Sequence, residues 1–290
     1  MSCTHGTHDG RGAIVVGLDA RDTWTRTLDW AVDQALVEKR PLTLVHAVDA
    51  AEDLWHDTQG RDTRIGVLPA PSAGQLLLDR ARARALERAP RLTVDEVLHS
   101  GTPRDVLATA AHDAHLLVIG ARNHRGPWVR LFGSTTTAIS RRPPCAVVVV
   151  RPDHPTRVHS GVLVGVDDTR HSQAALRFAF VQASLHRWPL TVMHVAPEIL
   201  LTERPDERPE ERLHLANALS GTPEDFPDVP LRSVVAYGEP AGCLLDAGRS
   251  MNLVVVGAHH GRRMSDVLQG SVVAPLVERA RCAVAVVPQT

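Results

Sequence analysis

The chain has 290 residues, a length that corresponds to about two domains. Its net charge of −1 and its aromatic content of only 3% exclude the basic, base-stacking surfaces that nucleic-acid-binding proteins use. No apolar run approaches the ~18 residues of a membrane-spanning helix, the N-terminus lacks a signal-peptide pattern, and four cysteines are too few for a disulfide scaffold. We therefore expect a cytoplasmic protein that does not contact membranes.

The only lysine of the chain, Lys39, falls in a predicted helix far from any glycine-rich loop. A phosphate-binding loop of the GxxxxGK[ST] type needs its lysine inside the loop. The sequence therefore excludes that class of nucleotide site.

In the first half of the chain, apolar β-branched runs alternate with segments of helical periodicity, after a small, polar tail over residues 1–12 that we expect to be disordered. The predicted strands are Ala13–Leu18, Leu42–Val48, Val94–Leu98, Leu116–Gly120 and Ala146–Val150. The predicted helices are Thr25–Val37, Ser72 to about Ala89, Pro103 to about Asp113 and Ser134 to about Ser140. Residues 50–71 are predicted to form an irregular insertion.

A polar, proline-containing linker over residues 153–160 separates the predicted first domain, residues 13–152, from a second at residues 161–290. The second domain repeats the pattern of the first. Its predicted strands are Gly161–Val166, Leu190–Val195, Leu231–Val235, Leu253–Gly257 and Ala283–Val287. Its predicted helices include Ser172 to about Arg187, Pro240–Arg249 and Ser271–Glu278.

The two halves are internal repeats, because equivalent residues keep constant spacings. Asp19 and Asp167 lie 148 residues apart, and so do His46 and His194. Later pairs lie 137 residues apart, namely Gly101 and Gly238, Gly120 and Gly257, Gly133 and Gly270, Ser134 and Ser271, and Cys145 and Cys282. A single length change of 11 residues between His46 and Gly101 accounts for both spacings. It falls in the irregular insertion of the first half, so the sequence predicts a tandem duplication.

Alternating strands and helices, with strands apolar throughout, predict an α/β fold with a parallel sheet covered by helices on both faces. In such a Rossmann-like sheet, ligands bind beyond the carboxyl ends of the strands, at the point where the winding direction reverses. If strands one and four are neighbours there, Asp19 and Gly120 lie side by side. Asp167 and Gly257 do the same in the second half. The carboxylate suits a ribose hydroxyl, and the glycine loop with its helix start suits phosphate.

The spacing G-x2-G-x9-G-[ST] after the fourth strand, with an aspartate at the end of the first, resembles the universal stress protein family. The segments GTPRDVLATAAHDAHLLVIGAR, CAVVVVRP and VLVGVDDTRHSQAALRFA are similar to members of that family, and the resemblance covers both halves. It implies two tandem Rossmann-like domains, each a five-stranded parallel sheet of order 3-2-1-4-5. It also implies adenine-nucleotide binding in some members, and dimer-like pairing through the fifth strand.

Carried over residue by residue, the resemblance implies an ATP site in the first half, where magnesium could accompany the nucleotide, and a candidate second site in the other half. Asn123 and His260 stand where the family motif has its second glycine, and Gly126 and Gly261 partly compensate. Arg125 and Arg262 keep the 137-residue spacing and lie within reach of a phosphate. The candidate nucleotide-binding residues are Asp19, Gly120, Asn123, Arg125, Gly126, Gly133, Ser134, Asp167, Gly257, Gly261, Arg262, Gly270 and Ser271. No catalytic residue and no metal ligand is predicted.

Several positions have a structural alternative. For Asp19 and Asp167, the alternative to ligand binding is to cap the following turn. For His46 and His194, the alternative to a ligand role is to pack beside the sheet. No residue is a general base aimed at a γ-phosphate, so at most weak ATPase activity is expected. The functional prediction is an ATP-binding regulator of the stress response, with an unknown protein partner. The alternative is an interaction protein of the same fold that has lost nucleotide binding. An intramolecular pseudo-dimer is expected, and a homodimer is possible on the same grounds.

Overall fold

The computed structural model describes residues 12–19, 24–48, 72–121, 135–151, 161–167, 172–196, 209–220, 222–258 and 272–289. Its strands are β1 Ile14–Gly17, β2 Leu42–Val48, β3 Val94–Ser100, β4 Leu116–Gly120, β5 Ala146–Val150, β6 Val162–Val166, β7 Leu190–Ala196, β8 Leu231–Tyr237, β9 Leu253–Gly257 and β10 Ala283–Val287. Its α-helices are α1 Trp24–Glu38, α2 Ala73–Arg88, α3 Pro103–Ala110, α4 Thr135–Arg141, α5 Ser172–His186, α6 Pro209–Leu219, α7 Pro240–Ala247 and α8 Val273–Arg279.

Contacts between residues divide the chain after Gly120 into two compact units, residues 1–120 and residues 121–290. The fifth strand of the first repeat, β5, belongs to the second unit, because it pairs with β10. The linker predicted at residues 153–160 lies outside the described residues. The domain boundaries at residues 152 and 161 therefore remain predictions.

The first unit holds a parallel sheet in the order β3-β2-β1-β4. Strand β1 pairs with β2 on one side and with β4 on the other, and Gly17 is aligned with Ile119 of β4. The core side chains of β1, β4 and the first half of β2 are buried, in agreement with the continuous apolar runs that predicted these strands.

Two glycines show that helices cover both faces of this sheet. A Cβ atom on Gly17 would lie 2.9 Å from Leu107 of α3, whereas one on Gly120 would lie 2.8 Å from Thr27 of α1. Gly17 is aligned with Ile119, and successive residues of a strand point to opposite faces, so Leu107 and Thr27 approach from opposite sides.

The second unit contains the order β8-β7-β6-β9-β10, which is the predicted 3-2-1-4-5, with β5 added beyond β10. Neighbouring strands of this order are parallel, except that β10 and β5 are antiparallel. The antiparallel pair aligns Val147 with Val286 and Val149 with Val284, and these four side chains are fully buried. The fifth strands of the two repeats therefore pair with each other. The predicted fold class is confirmed.

Helix ends and turns repeat as faithfully as the strands do. Lys39 and Arg187 follow α1 and α5 with φ of 54° and 55°, and the next residue in each case bonds back to the carbonyl of Ala35 or Ala183. This is the six-to-one hydrogen bond of a Schellman motif. Gly101 and Gly238, after β3 and β8, have φ of 145° and 137°, a conformation that favours glycine.

Candidate functional site

In the first repeat, the predicted ribose ligand and the predicted strand-end glycine lie on neighbouring strands. Asp19 follows β1 by two residues, and Gly120 is the last residue of β4. The two strands are parallel and in register up to the pair Gly17–Ile119, so both residues lie at the same carboxyl edge. Because β2 and β4 flank β1 on opposite sides, the sheet reverses its winding direction at this edge. This is the position at which α/β sheets bind ligands.

Gly120 has a packing role in addition to any role toward a ligand. The buried Thr27 of α1 places its Oγ1 atom 2.8 Å from where a Cβ atom would stand. Threonine is stiff about χ1 and this one lies in the core, so it cannot easily move aside. The glycine at the end of β4 therefore lets α1 approach the sheet closely.

In the second repeat, Asp167 and Gly257 end β6 and β9 in the same way. Here the aspartate is also hydrogen-bonded to Ser172, the first residue of α5. The Ser172 hydroxyl donates a hydrogen bond to Oδ1 of Asp167, and Ser172 Oγ accepts one from the Asp167 backbone N–H at 2.8 Å. The Asp167 carboxylate therefore has a structural partner at the start of α5.

The first repeat lacks that serine. The 148-residue spacing places Trp24 of α1 where the second repeat has Ser172. A tryptophan side chain cannot form the reciprocal hydroxyl–carboxylate pair, because its only polar atom is an N–H donor. The two aspartates consequently have different surroundings, although their position on the sheet is the same.

The histidines at the end of the second strand are anchored to the backbone in both repeats. Nδ1 of His46 lies 2.8 Å from the carbonyl oxygen of Leu18, and Nδ1 of His194 lies 3.2 Å from that of Val166. Both contacts join the second strand to the residue just before the candidate aspartate. Both histidines are half-buried, as expected for side chains packed beside the sheet.

Beyond that shared anchor, the two histidines differ. His46 packs against α2 where Gly74 leaves room for it, since a Cβ atom on Gly74 would lie 2.9 Å from its ring. Nε2 of His194 instead lies 2.9 Å from Oε2 of Glu211 on α6, and the ring of His214 meets it edge-on. The sequence analysis gave neither Glu211 nor His214 a role. Their Glu-x-x-His spacing, which places both side chains on one side of a helix, is the sequence signal from which a shared role could have been predicted.

Four predicted nucleotide-binding residues are described by the structure: Asp19, Gly120, Asp167 and Gly257. The remaining ones lie outside the described residues, so their roles stay predictions. They are Asn123, Arg125, Gly126, Gly133, Ser134, Gly261, Arg262, Gly270 and Ser271.

Cys145 and Cys282, which precede the fifth strands of the two repeats, are buried as small hydrophobic side chains. Burial raises the pKa of the Cys282 thiol to about 12, because a thiolate would be poorly solvated there. This cysteine therefore stays protonated and unreactive at neutral pH.

The model of the universal stress protein family matches residues 10–151 and, a second time, residues 160–288. The chain belongs to the universal stress protein family. The two matches correspond to the two repeats, so this is a tandem member of the family. Among the helices that the structure describes, none is long and apolar enough to cross a membrane.

Universal stress proteins from mycobacteria resemble the chain over nearly its whole length. One from Mycobacterium tuberculosis is 31% identical and covers 96% of this chain and 97% of its own. A second from that organism is also 31% identical, over 94% of this chain and 95% of its own. The crystal structure of a universal stress protein from Archaeoglobus fulgidus covers 96% of both chains with a TM-score of 0.65 and 16% identity, which shows that the fold is shared.

Proposed function

We propose that this tandem universal stress protein is a cytoplasmic regulator that binds ATP in the crevice of its first repeat. The observation that supports the proposal most directly is the placement of Asp19 and Gly120 at the carboxyl ends of the adjacent strands β1 and β4. The Asp19 carboxylate would accept hydrogen bonds from the ribose hydroxyls. The phosphates, with magnesium, would lie on the loop and helix start that follow β4.

Binding rather than turnover is the proposed activity. The sequence offers no general base aimed at a γ-phosphate, and efficient hydrolysis requires a residue that orients the attacking water. The nucleotide would instead act as a signal that biases the protein toward one conformation and so toward one partner.

The first repeat is the stronger candidate because of its loop, in which Asn123 stands for the motif glycine. In the second repeat, Ser172 donates a hydrogen bond to Asp167. A ribose hydroxyl would have to share that carboxylate with the serine or displace it. His260 in the second loop is also bulkier than Asn123 in the first, at a position where the family motif has glycine.

Calorimetric titration with Mg-ATP tests this proposal. We expect Asp19→Ala to weaken ATP binding by about 10- to 100-fold, since hydrogen bonds to a charged group contribute roughly 1.5–3 kcal/mol. Asp167→Ala should have a smaller effect. Asp113→Ala is a matched control, because this exposed aspartate lies just before β4, at the opposite end of that strand. Equal losses in the Asp19 and Asp113 variants would contradict the proposal.

An interaction protein without a nucleotide remains the second candidate function. It is favoured by the Ser172–Asp167 pair, which gives that aspartate a purely structural use. If wild type binds no ATP, and Asn123→Gly and His260→Gly do not create binding, this second function becomes the better explanation.

A further inference from the structure

We propose that His194, Glu211 and His214 form a binding site for a transition-metal ion, with Zn²⁺ as the best fit. Each residue offers one ligand atom, and these atoms all lie within 4.8 Å of one another. The sequence analysis predicted no metal ligand. The site would not depend on nucleotide binding, because it uses none of the predicted nucleotide-binding residues.

The three ligands come from two elements that the fold already fixes. His194 lies in the second half of β7, aligned with Val166 of β6, and its side chain is only 12% exposed. Glu211 and His214 lie three residues apart on α6, which packs against β7. Residues at this spacing project from the same side of a helix, so both reach the histidine on the strand.

The hydrogen-bonding partners of His194 leave one of its nitrogens without a matching donor or acceptor when the ring is neutral. Nδ1 lies 3.2 Å from the Val166 carbonyl oxygen, and Nε2 lies 2.9 Å from Oε2 of Glu211. Both neighbours are acceptors, whereas a neutral imidazole has a single N–H. Either the ring is an imidazolium ion paired with Glu211, or Nδ1–H bonds the carbonyl and the Nε2 lone pair meets a cation.

The geometry favours a cation. Metal-binding histidines usually donate their other ring N–H to a carboxylate or a backbone carbonyl, which is the contact that Nδ1 makes with Val166. The His214 ring stands edge-on to His194 with the ring centres 6.3 Å apart, and its ligand atom lies within 4.8 Å of those of His194 and Glu211.

The donor set selects the kind of metal. Two imidazoles and one carboxylate suit Zn²⁺, whereas Mg²⁺ and Ca²⁺ prefer oxygen ligands. Tetrahedral zinc with bonds of about 2.0–2.2 Å places neighbouring ligand atoms roughly 3.4 Å apart. Closing the present group on an ion would require the most distant ligand atom to move by at most about 1.4 Å, from 4.8 Å to roughly 3.4 Å. The fourth position would be left for water.

The first repeat provides an internal control, because it has the histidine without the other two ligands. By the 137-residue spacing, Gly74 is the first-repeat equivalent of Glu211, and Leu77 is the equivalent of His214. The structure supports this alignment, since Gly74 of α2 packs against His46 as Glu211 of α6 meets His194. His46 keeps the carbonyl anchor but has no second ligand from these positions.

Calorimetry with ZnCl₂ on the tag-free, chelator-treated full chain tests the site, with MgCl₂ as a comparison. We expect one zinc ion to bind at this site. Glu211→Gln and His214→Asn should each weaken it at least about tenfold, since even indirect partners of a metal ligand contribute 10- to 100-fold. Glutamine has nearly the size and shape of glutamate, and His214 is exposed, so the fold should survive both substitutions. Circular dichroism would verify this.

His46→Asn is the matched control and should leave zinc binding unchanged. Equal zinc affinity in wild type and in the Glu211→Gln and His214→Asn variants would overturn the proposal. Any zinc bound would then belong to another part of the chain. Absence of zinc binding in wild type would also overturn it and leave the His194–Glu211 contact as an ion pair only.

Discussion

Lys39 and Arg187 are the described residues whose backbone is strained by a positive φ. Each is the only non-glycine residue of its repeat with positive φ among the described residues, and each ends the first helix of its repeat. A left-handed conformation costs an ordinary residue roughly 1 kcal/mol, which is why glycine is the usual residue at this position. The chain carries this cost at the same place in both repeats.

Replacing Lys39 with glycine should therefore stabilise the protein. The expected gain in the free energy of unfolding is about 0.5–1 kcal/mol, reduced in part by the greater entropy of glycine in the unfolded chain. Urea denaturation followed by circular dichroism measures it. Arg187→Gly should behave alike, whereas Arg91→Gly, at an exposed position without positive φ, should give no gain. A destabilised Lys39→Gly variant would show that the side chain contributes more than the strain costs.

The candidate site shows which single residues could be found from the sequence. Asp19, Gly120, Asp167 and Gly257 were found because they stand at the ends of apolar runs and recur at constant spacings. Glu211 and His214 were not, because no bounds were predicted for the helix that carries them. Their meeting with His194 depends on how α6 is rotated against β7. The packing of Thr27 against Gly120 was equally hidden, since it joins residues that are 93 positions apart.

Between elements, ion pairs join the first two helices of the first repeat. Arg84 of α2 donates two hydrogen bonds to the Asp29 carboxylate of α1, at 2.8 and 2.7 Å. Arg88, one turn later, donates to Asp33 at 2.7 Å. The hydrogen bond that Arg84 donates to Asp29 raises the pKa of Arg84, because it stabilises the charged guanidinium. Two parallel hydrogen bonds of this kind fix the orientation of the guanidinium relative to the carboxylate as well as the distance between them.

Replacing Arg84 with lysine should weaken this junction, because an ammonium group cannot form the two-bond contact. Asp29 and Arg84 are 25% and 40% exposed, so solvent screens the pair, and we expect a loss of only about 0.5–1 kcal/mol. Urea denaturation at low and high salt would measure it, with a smaller loss at high salt. Arg80→Lys, on an exposed side of the same helix, is the control. Equal effects of the two substitutions would contradict the assignment.

Most elements could be predicted from their own residues. The Ser72 hydroxyl accepts from the Gln75 N–H, and Thr102 caps the helix that begins at Pro103, as capping preferences predict. Helix α6 is the exception, because its sequence is polar and its apolar face is narrow. No bounds were predicted for it, because only Leu215 and Ala218 among its described side chains are buried and mark the side that faces the core.

For the molecule as a whole, the pairing of β5 with β10 is the feature that unites the fifth strands of the two repeats. The apolar runs CAVVVV and CAVAVV predicted an intramolecular pseudo-dimer through these strands, because a lone apolar edge strand attracts a partner. The family resemblance implied the same strand as the site of pairing. A homodimer of the full chain remains a prediction.

Expression of residues 1–152 alone should therefore yield a protein that self-associates. It would expose β5, whose residues Val147, Val148 and Val149 are fully buried in the whole chain. Light scattering at micromolar concentrations should give at least twice the mass of the fragment, while the full chain serves as the control for concentration-dependent effects. A monodisperse fragment monomer at high micromolar concentration would count against this account of β5.

The most direct test of the central claim, that the first repeat binds an adenine nucleotide, is native mass spectrometry of the full chain. Spectra would be taken as purified and again after incubation with millimolar Mg-ATP. The account predicts an adduct with the mass of an adenine nucleotide in wild type, its loss in Asp19→Ala and its retention in Asp113→Ala. Absence of any nucleotide adduct in wild type under both conditions, or an adduct that persists unchanged in Asp19→Ala, would contradict it.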